Sequence, residues 1–290
     1  MSDYKFRCPS CQQSLAAPKE LLGHVIDCPS CDERIQLPQS DAPAGVAAAL
    51  DMAEAKDGGV LVRIPAGDFE MGDGLDDDCP KHRVYVSEYW IAMACVTNRQ
   101  YARFVKATKH RPPDQADAGD PAVWRNGKCP EALLDHPVVC VSWHDAVAYA
   151  KWVGLRLPSE AQWEKAARGP QGWVFPWGNE WNPENCRNGS NRDAGTTAAV
   201  RDYLEGTGGY GTLQQAGNVW EWCADWYDER YYGGGLAKDP VGAPNGTIRV
   251  GRGGSWNDDD ATGFRAAFRN GNVPNARAPY LGFRLVAIHD

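Results

Sequence analysis

Hydrophobic and polar residues alternate in short runs along much of the chain, and three stretches change to a helical period. VLVRIPAGDFEMG, from Val60, and HRVYVSEYWIA read as strands punctuated by Pro and Gly. TNRQYARFVKAT places Tyr101, Phe104 and Val105 on one face behind Thr97 as a cap. SWHDAVAYAKWVG opens with Ser142 and Asp145 at capping-box spacing and stops at Gly154; SEAQWEKAARG repeats the design with Ser159, Gln162 and Gly169. Beyond Gly169 come loops rich in Trp, Gly and Asn, with short strands expected near 218–226, 248–256, 263–269 and 282–287. Helices followed by a loop-rich β half predict an α+β domain.

Composition sharpens this picture. With 43% hydrophobic and 23% charged residues, the 290-residue chain can build a sizeable core, and 12 Trp, 31 Gly and 20 Pro point to long packed loops. A net charge of −8 argues against nucleic acid as a partner, since a phosphate backbone selects a basic face. No apolar run approaches the roughly 20 residues of a membrane helix, and MSDYKFRCPSC does not read as a signal peptide. The expected location is therefore cytoplasmic, where paired cysteines point to metal rather than disulfides.

Such pairs stand at the N-terminus. Cys8 and Cys11, then Cys28 and Cys31, form two CPSC knuckles with sixteen residues between them, a spacing that closes a tetrahedron around zinc. Residues 1–38 then form a zinc ribbon whose structural metal supplies the stability so short a segment lacks. The module resembles bacterial zinc ribbons, many of which bind nucleic acid; with an acidic chain, docking to a protein partner is an equal alternative. Residues 39–59, rich in Pro, Ala, Gly and Asp, read as a linker to a main domain spanning 60–290.

In that domain VRIPAGDFEMG, RLPSEAQWEKAARG, FPWGN, AGNVWEWCADWY, RGGSW and the terminal LGFRLV occur in order. Together they resemble the formylglycine-generating-enzyme, or sulfatase-modifying-factor, family, which implies a C-type-lectin-like fold. Oxidases of that family carry two copper-holding cysteines soon after RGGS. Here no cysteine follows Cys223, and the six His show no ligand spacing, so the expectation is a protein that is not an enzyme. Cys95 and Cys140, in AMACVTN and PVVCVSW, read as buried thiols.

The resemblance also offers two calcium sites built from oxygen ligands on irregular backbone. One would use Asn185, the Cys186 carbonyl and Asp193; the other, the Gly217 and Val219 carbonyls and the Glu221 carboxylate. Gln214 stands where relatives supply Asn at the second, and hydrogen bonds that merely pin the loops remain an open alternative at both. DGLDDDCPKH, residues 73–82, lacks the mid-loop Gly and final Glu of an EF-hand and reads as a solvated loop.

Residues 249–286 resemble a narrower group, the variable proteins of diversity-generating retroelements, in which adenines of Asn codons are randomised. Such codons cannot yield Lys, Gln, Glu, Met or Trp, and residues 257–280 contain none of the five. The resemblance implies a variable region over 257–281 in which Arg265 and Arg269 anchor the backbone and other side chains face a macromolecular or small ligand. The ligand-facing residues expected are Asp258, Asp259, Asp260, Thr262, Phe264, Phe268, Asn270, Asn272, Val273, Ala276, Ala278 and Tyr280. The reading is a ligand-binding protein on a lectin-like scaffold. Its rivals are a regulatory pseudoenzyme or scaffold of the same family and a divergent metal-dependent oxidase.

Overall fold

A threonine and two serines start the helices, each through a reciprocal pair of hydrogen bonds. In the computed structural model α1 (Asn98–Thr108) follows Thr97, whose Oγ1 accepts from the Gln100 N–H while the Gln100 side chain accepts from the Thr97 N–H. α2 (Trp143–Val153) repeats this with Ser142 and Asp145, and α3 (Glu160–Arg168) with Ser159 and Gln162. Gly154 ends α2 at φ 85°, a conformation that favours glycine. The structure describes residues 4–7, 14–18, 21, 25–31, 34–36, 52–117, 123–192, 196–234 and 237–288.

The chain divides into two units, Met1–Ala49 and Leu50–Asp290. The first holds two antiparallel hairpins, β1 (Tyr4–Arg7) with β2 (Ser14–Ala17) and β3 (Val25–Asp27) with β4 (Arg34–Gln36). Cys28 follows β3 and is buried, and Cys31 is exposed. Cys8 and Cys11, expected to share zinc with them, lie outside the described residues. The second unit opens on β5 (Met52–Glu54), within the segment that composition marks as linker.

Further strands follow in the order β6 (Val60–Ile64), β7 (Gly67–Met71), β8 (His82–Val86), β9 (Tyr89–Ala92), β10 (Trp220–Trp226) and β11 (Ala237–Lys238). They end with β12 (Arg249–Arg252), β13 (Asn270–Asn272), β14 (Leu281–Gly282) and β15 (Val286–Ala287). The sheets of this unit run β15-β9-β6-β5, β11-β8-β7 and β13-β12-β10-β14. Side chains alternate across β6, so Val62 and Ile64 are buried while Arg63 is exposed. The aromatic centre lies under α1 and α2, where Tyr101 stacks on Tyr149 at 5.5 Å and Phe283 meets Tyr149 edge-on. The strand expected at 263–269 does not form. Residues Ala261–Phe264 make a single 3₁₀ turn, and pairing with β12 begins only at Asn270.

The first two turns of α3 carry buried charge. Glu160 accepts from Arg269 Nε at 2.8 Å and Arg252 Nη1 at 3.0 Å through one oxygen, and from Tyr232 Oη at 2.8 Å through the other. Arg252 also donates to Glu164 and to the Ala266 and Ala267 carbonyls. A third arginine, Arg284, grips both oxygens of Glu221 at 2.6 and 2.7 Å, and Trp163 Nε1 donates to the same carboxylate. Buried charges persist where such geometry satisfies them. Chain segments distant in sequence are thereby tied to one helix.

Among the described residues, Asp225 is one buried acid not satisfied in this way. Its Oδ2 accepts from the Glu160 N–H at 2.9 Å, but Oδ1 has no partner. Burial, then the neighbouring Glu160 charge, pushes its carboxyl up to about 8 from the ordinary 3.8. Between those values the folded chain holds a proton that the unfolded chain has released, so this group makes stability fall as pH rises from 3.8 to about 8. Asp225→Asn, which cannot ionise, should flatten that part of the stability curve in urea titrations across this window. An unchanged slope would show that Asp225 is charged in the folded chain.

Candidate functional site

The segment after β12 turns sharply and locks itself. Ser255 donates from N and Oγ to Asp258 Oδ2, at 2.9 and 2.6 Å, and Trp220 Nε1 donates to the same oxygen at 2.9 Å. Trp256 packs inward and donates to the Pro279 carbonyl, while Arg192 lies over its ring and donates to Asn257 Oδ1. Asp260 caps the turn at Ala261–Phe264 by accepting from the Thr262 N–H at 3.0 Å.

Burial sorts the twelve expected ligand-facing residues. Asp259, Asp260 and Val273 are exposed, as are their neighbours Asn257 and Asn275. Asp258, Thr262, Phe268, Asn270, Asn272 and Tyr280 are half-buried. Phe264, Ala276 and Ala278 are buried and do not belong to the surface. For Phe264 the reason is the missing strand: without strand alternation, its ring turns inward and stacks on Trp181 at 4.9 Å, beside Phe175 and Trp177. A β-carbon at Gly254, whose φ is +73°, would stand 2.7 Å from that ring. Asp258 is also spent internally, its Oδ2 accepting three hydrogen bonds. Ala278 lies against α2's approach, its carbonyl accepting from the Cys140 N–H.

The arginines are buried, as the resemblance to variable proteins implied. Arg265 pairs with both Asp73 and Asp76, and Arg269 with Glu160. Burial of Asp73 opposes its charge, but the Leu75 N–H and the Arg265 guanidinium outweigh it and hold the carboxyl below its ordinary value. Cys79 sits beside these carboxylates, its thiol pushed up to about 11 by burial. Asp73, Asp76 and Cys79 bring ligand-type atoms within 4.8 Å of one another, and Arg265 pairs with both acids. The loop of residues 73–82, read as solvated, is thus half of the anchor for 261–265. Only a long-range partner could have revealed that, and nothing local marks one.

Elsewhere, Asn185 Oδ1 accepts from Asn182, and the Cys186 carbonyl from Asn188 and Asn191. Asp193, the third expected ligand of that calcium site, lies outside the described residues. At the other site the Glu221 carboxylate expected to face calcium is committed on both oxygens to Arg284. That leaves the Gly217 and Val219 carbonyls without it. Both asparagine-rich loops are pinned by their own side chains. No described helix is long and apolar enough to cross a membrane.

The model of the sulfatase-modifying factor enzyme 1-like domain matches residues 47–288. The chain is 37% identical over 276 residues to the formylglycine-generating enzyme of Streptomyces coelicolor, covering 77% of this chain and 87% of that one. It is 31% identical to the inactive C-alpha-formylglycine-generating enzyme 2 of Bos taurus, covering 77% and 86%. The solved structure of Treponema denticola variable protein 1 superposes with a TM-score of 0.65 at 25% identity, covering 79% of this chain and 94% of that one. The α+β, C-type-lectin-like fold expected from the motifs is therefore the fold found. The expectation that the chain is not an enzyme is overturned: a relative sharing 37% of its residues over most of both chains is named as one. Thiols in one segment were too narrow a basis for that inference.

Inward and outward residues of the segment should respond oppositely to truncation. Phe264→Ala should cost roughly 3–5 kcal/mol in chemical denaturation, as for a core aromatic. Asp259→Ala and Val273→Ala should stay within about 0.5 kcal/mol. A Phe264 variant as stable as the parent would remove the basis for this division.

Proposed function

Because the chain belongs to the sulfatase-modifying factor enzyme 1-like family, we propose that it binds a macromolecular ligand on the face carried by residues 257–280, whose exposed positions a diversity-generating retroelement sets. One observation carries the reading. Within a single segment the anchoring side chains Phe264, Arg265 and Arg269 are buried, and Asn257, Asp259, Asp260, Val273 and Asn275 face solvent. Changes at the second set leave the first untouched, so the scaffold tolerates many surfaces.

The neighbour named a variable protein supports the reading, as does the absence of Lys, Gln, Glu, Met and Trp from residues 257–280. Half-buried Phe268 and Tyr280 supply aromatic surface beside the acidic Asp259 and Asp260, a pairing suited to protein recognition. Binding of this kind is compatible with catalysis, because an enzyme of the family must also seat its substrate.

Sequencing the surrounding DNA tests the proposal. The expected result is a second copy of the codons for residues 249–286 near a reverse-transcriptase gene. That copy should carry adenines where the two differ, at the codons of Asn257, Asp259 and Val273, and should match at Arg265 and Arg269. A single copy in the complete genome would overturn the diversification reading.

A further inference from the structure

A cleft of 490 Å³ lies apart from the 257–280 face, between the β5–β6 turn, the end of β9, the start of α1 and residues 199–201. Its floor is apolar, formed by Leu61, Cys95, Val96 and Leu213. Burial raises the Cys95 thiol well above its ordinary value, so that position is uncharged as well.

The mouth has the opposite character. Arg99, Arg103 and Arg201 line it and are all exposed. Two acids also line the cleft, and each is tied to a neighbour. Asp57 is buried, and its carboxylate accepts from the Gly59 N–H and the Tyr149 hydroxyl. Asp135 is held by Arg99 alone, in a two-pronged pair at 2.9 and 3.1 Å. Arg103 donates through Nη1 only to the Asp57 carbonyl, and Arg201 has no side-chain partner among the described residues. A chain of net charge −8 thus sets Arg103, bonded to a carbonyl, and Arg201 over an apolar floor.

We propose that this cleft binds an amphipathic carboxylate, an aliphatic acid whose chain lies on the apolar floor and whose head group meets Arg103 and Arg201. Apolar burial would supply most of the attraction, and the guanidiniums would select the charge. The site is independent of the ligand on the 257–280 face, and its failure would leave that reading intact.

Calorimetric titration of the full chain with decanoate, below its micellar range, tests the proposal. Saturable binding is expected, together with a loss of about tenfold or more in affinity for Arg103→Glu/Arg201→Glu. Both residues are exposed, so a thermal melt should show the variant folded; Arg201→Glu alone gives the same readout with fewer changes. Decyltrimethylammonium, with a similar chain and the opposite charge, should bind more weakly than decanoate. No saturable binding, equal affinity in the charge-reversed chain, or equal binding of the cationic amphiphile would each overturn the proposal.

Discussion

The carboxylate of Glu160, in the first turn of α3, is the constraint on which the C-terminal half depends. It is 1% exposed and meets two guanidiniums and a phenol. Such a group is costly to bury, and removing one partner leaves an uncompensated charge; its stability rests on every lone pair being used. Arg252 then passes the constraint outward, donating to the carbonyls of Ala266 and Ala267. A loop with little regular structure of its own is thereby fixed from beneath. Of its outer side chains, Asp260 caps the turn above, while Asp259 and Val273 face solvent.

The enzyme question looks different in this light. A lectin-like scaffold held by buried ion pairs does not prescribe what its surface does, and one fold hosts unrelated functions. Named relatives include a formylglycine-generating enzyme and a protein described as its inactive counterpart, both more than 30% identical to this chain. After RGGS this chain presents Asp258 locked to Ser255 and Trp220, followed by exposed acids. Function at this place is decided by a handful of side chains resting on a shared frame.

Local features were legible in the sequence. The capping boxes of Thr97, Ser142 and Ser159 involve partners three residues away, and the helices begin where those residues stand. The burial of Arg265 and Arg269 was anticipated from the resemblance and not from local pattern. What failed was geometry that depends on distant chain. Strand alternation only set Phe264 opposite Arg265; the resemblance put Phe264 outside, whereas Trp181 and the space above Gly254 draw it in. Asp73 and Asp76 bond Arg265 across roughly two-thirds of the chain, and Glu221 pairs with Arg284 across 63 positions. No periodicity or motif encodes such pairings.

Native-state hydrogen exchange on Arg269→Met measures the central claim directly. If Glu160 and its arginines hold the loop from beneath, amides of residues 261–272 should lose protection while those of α1 and α2 keep theirs. Unchanged protection of 261–272, or a uniform loss across the second unit, would contradict it.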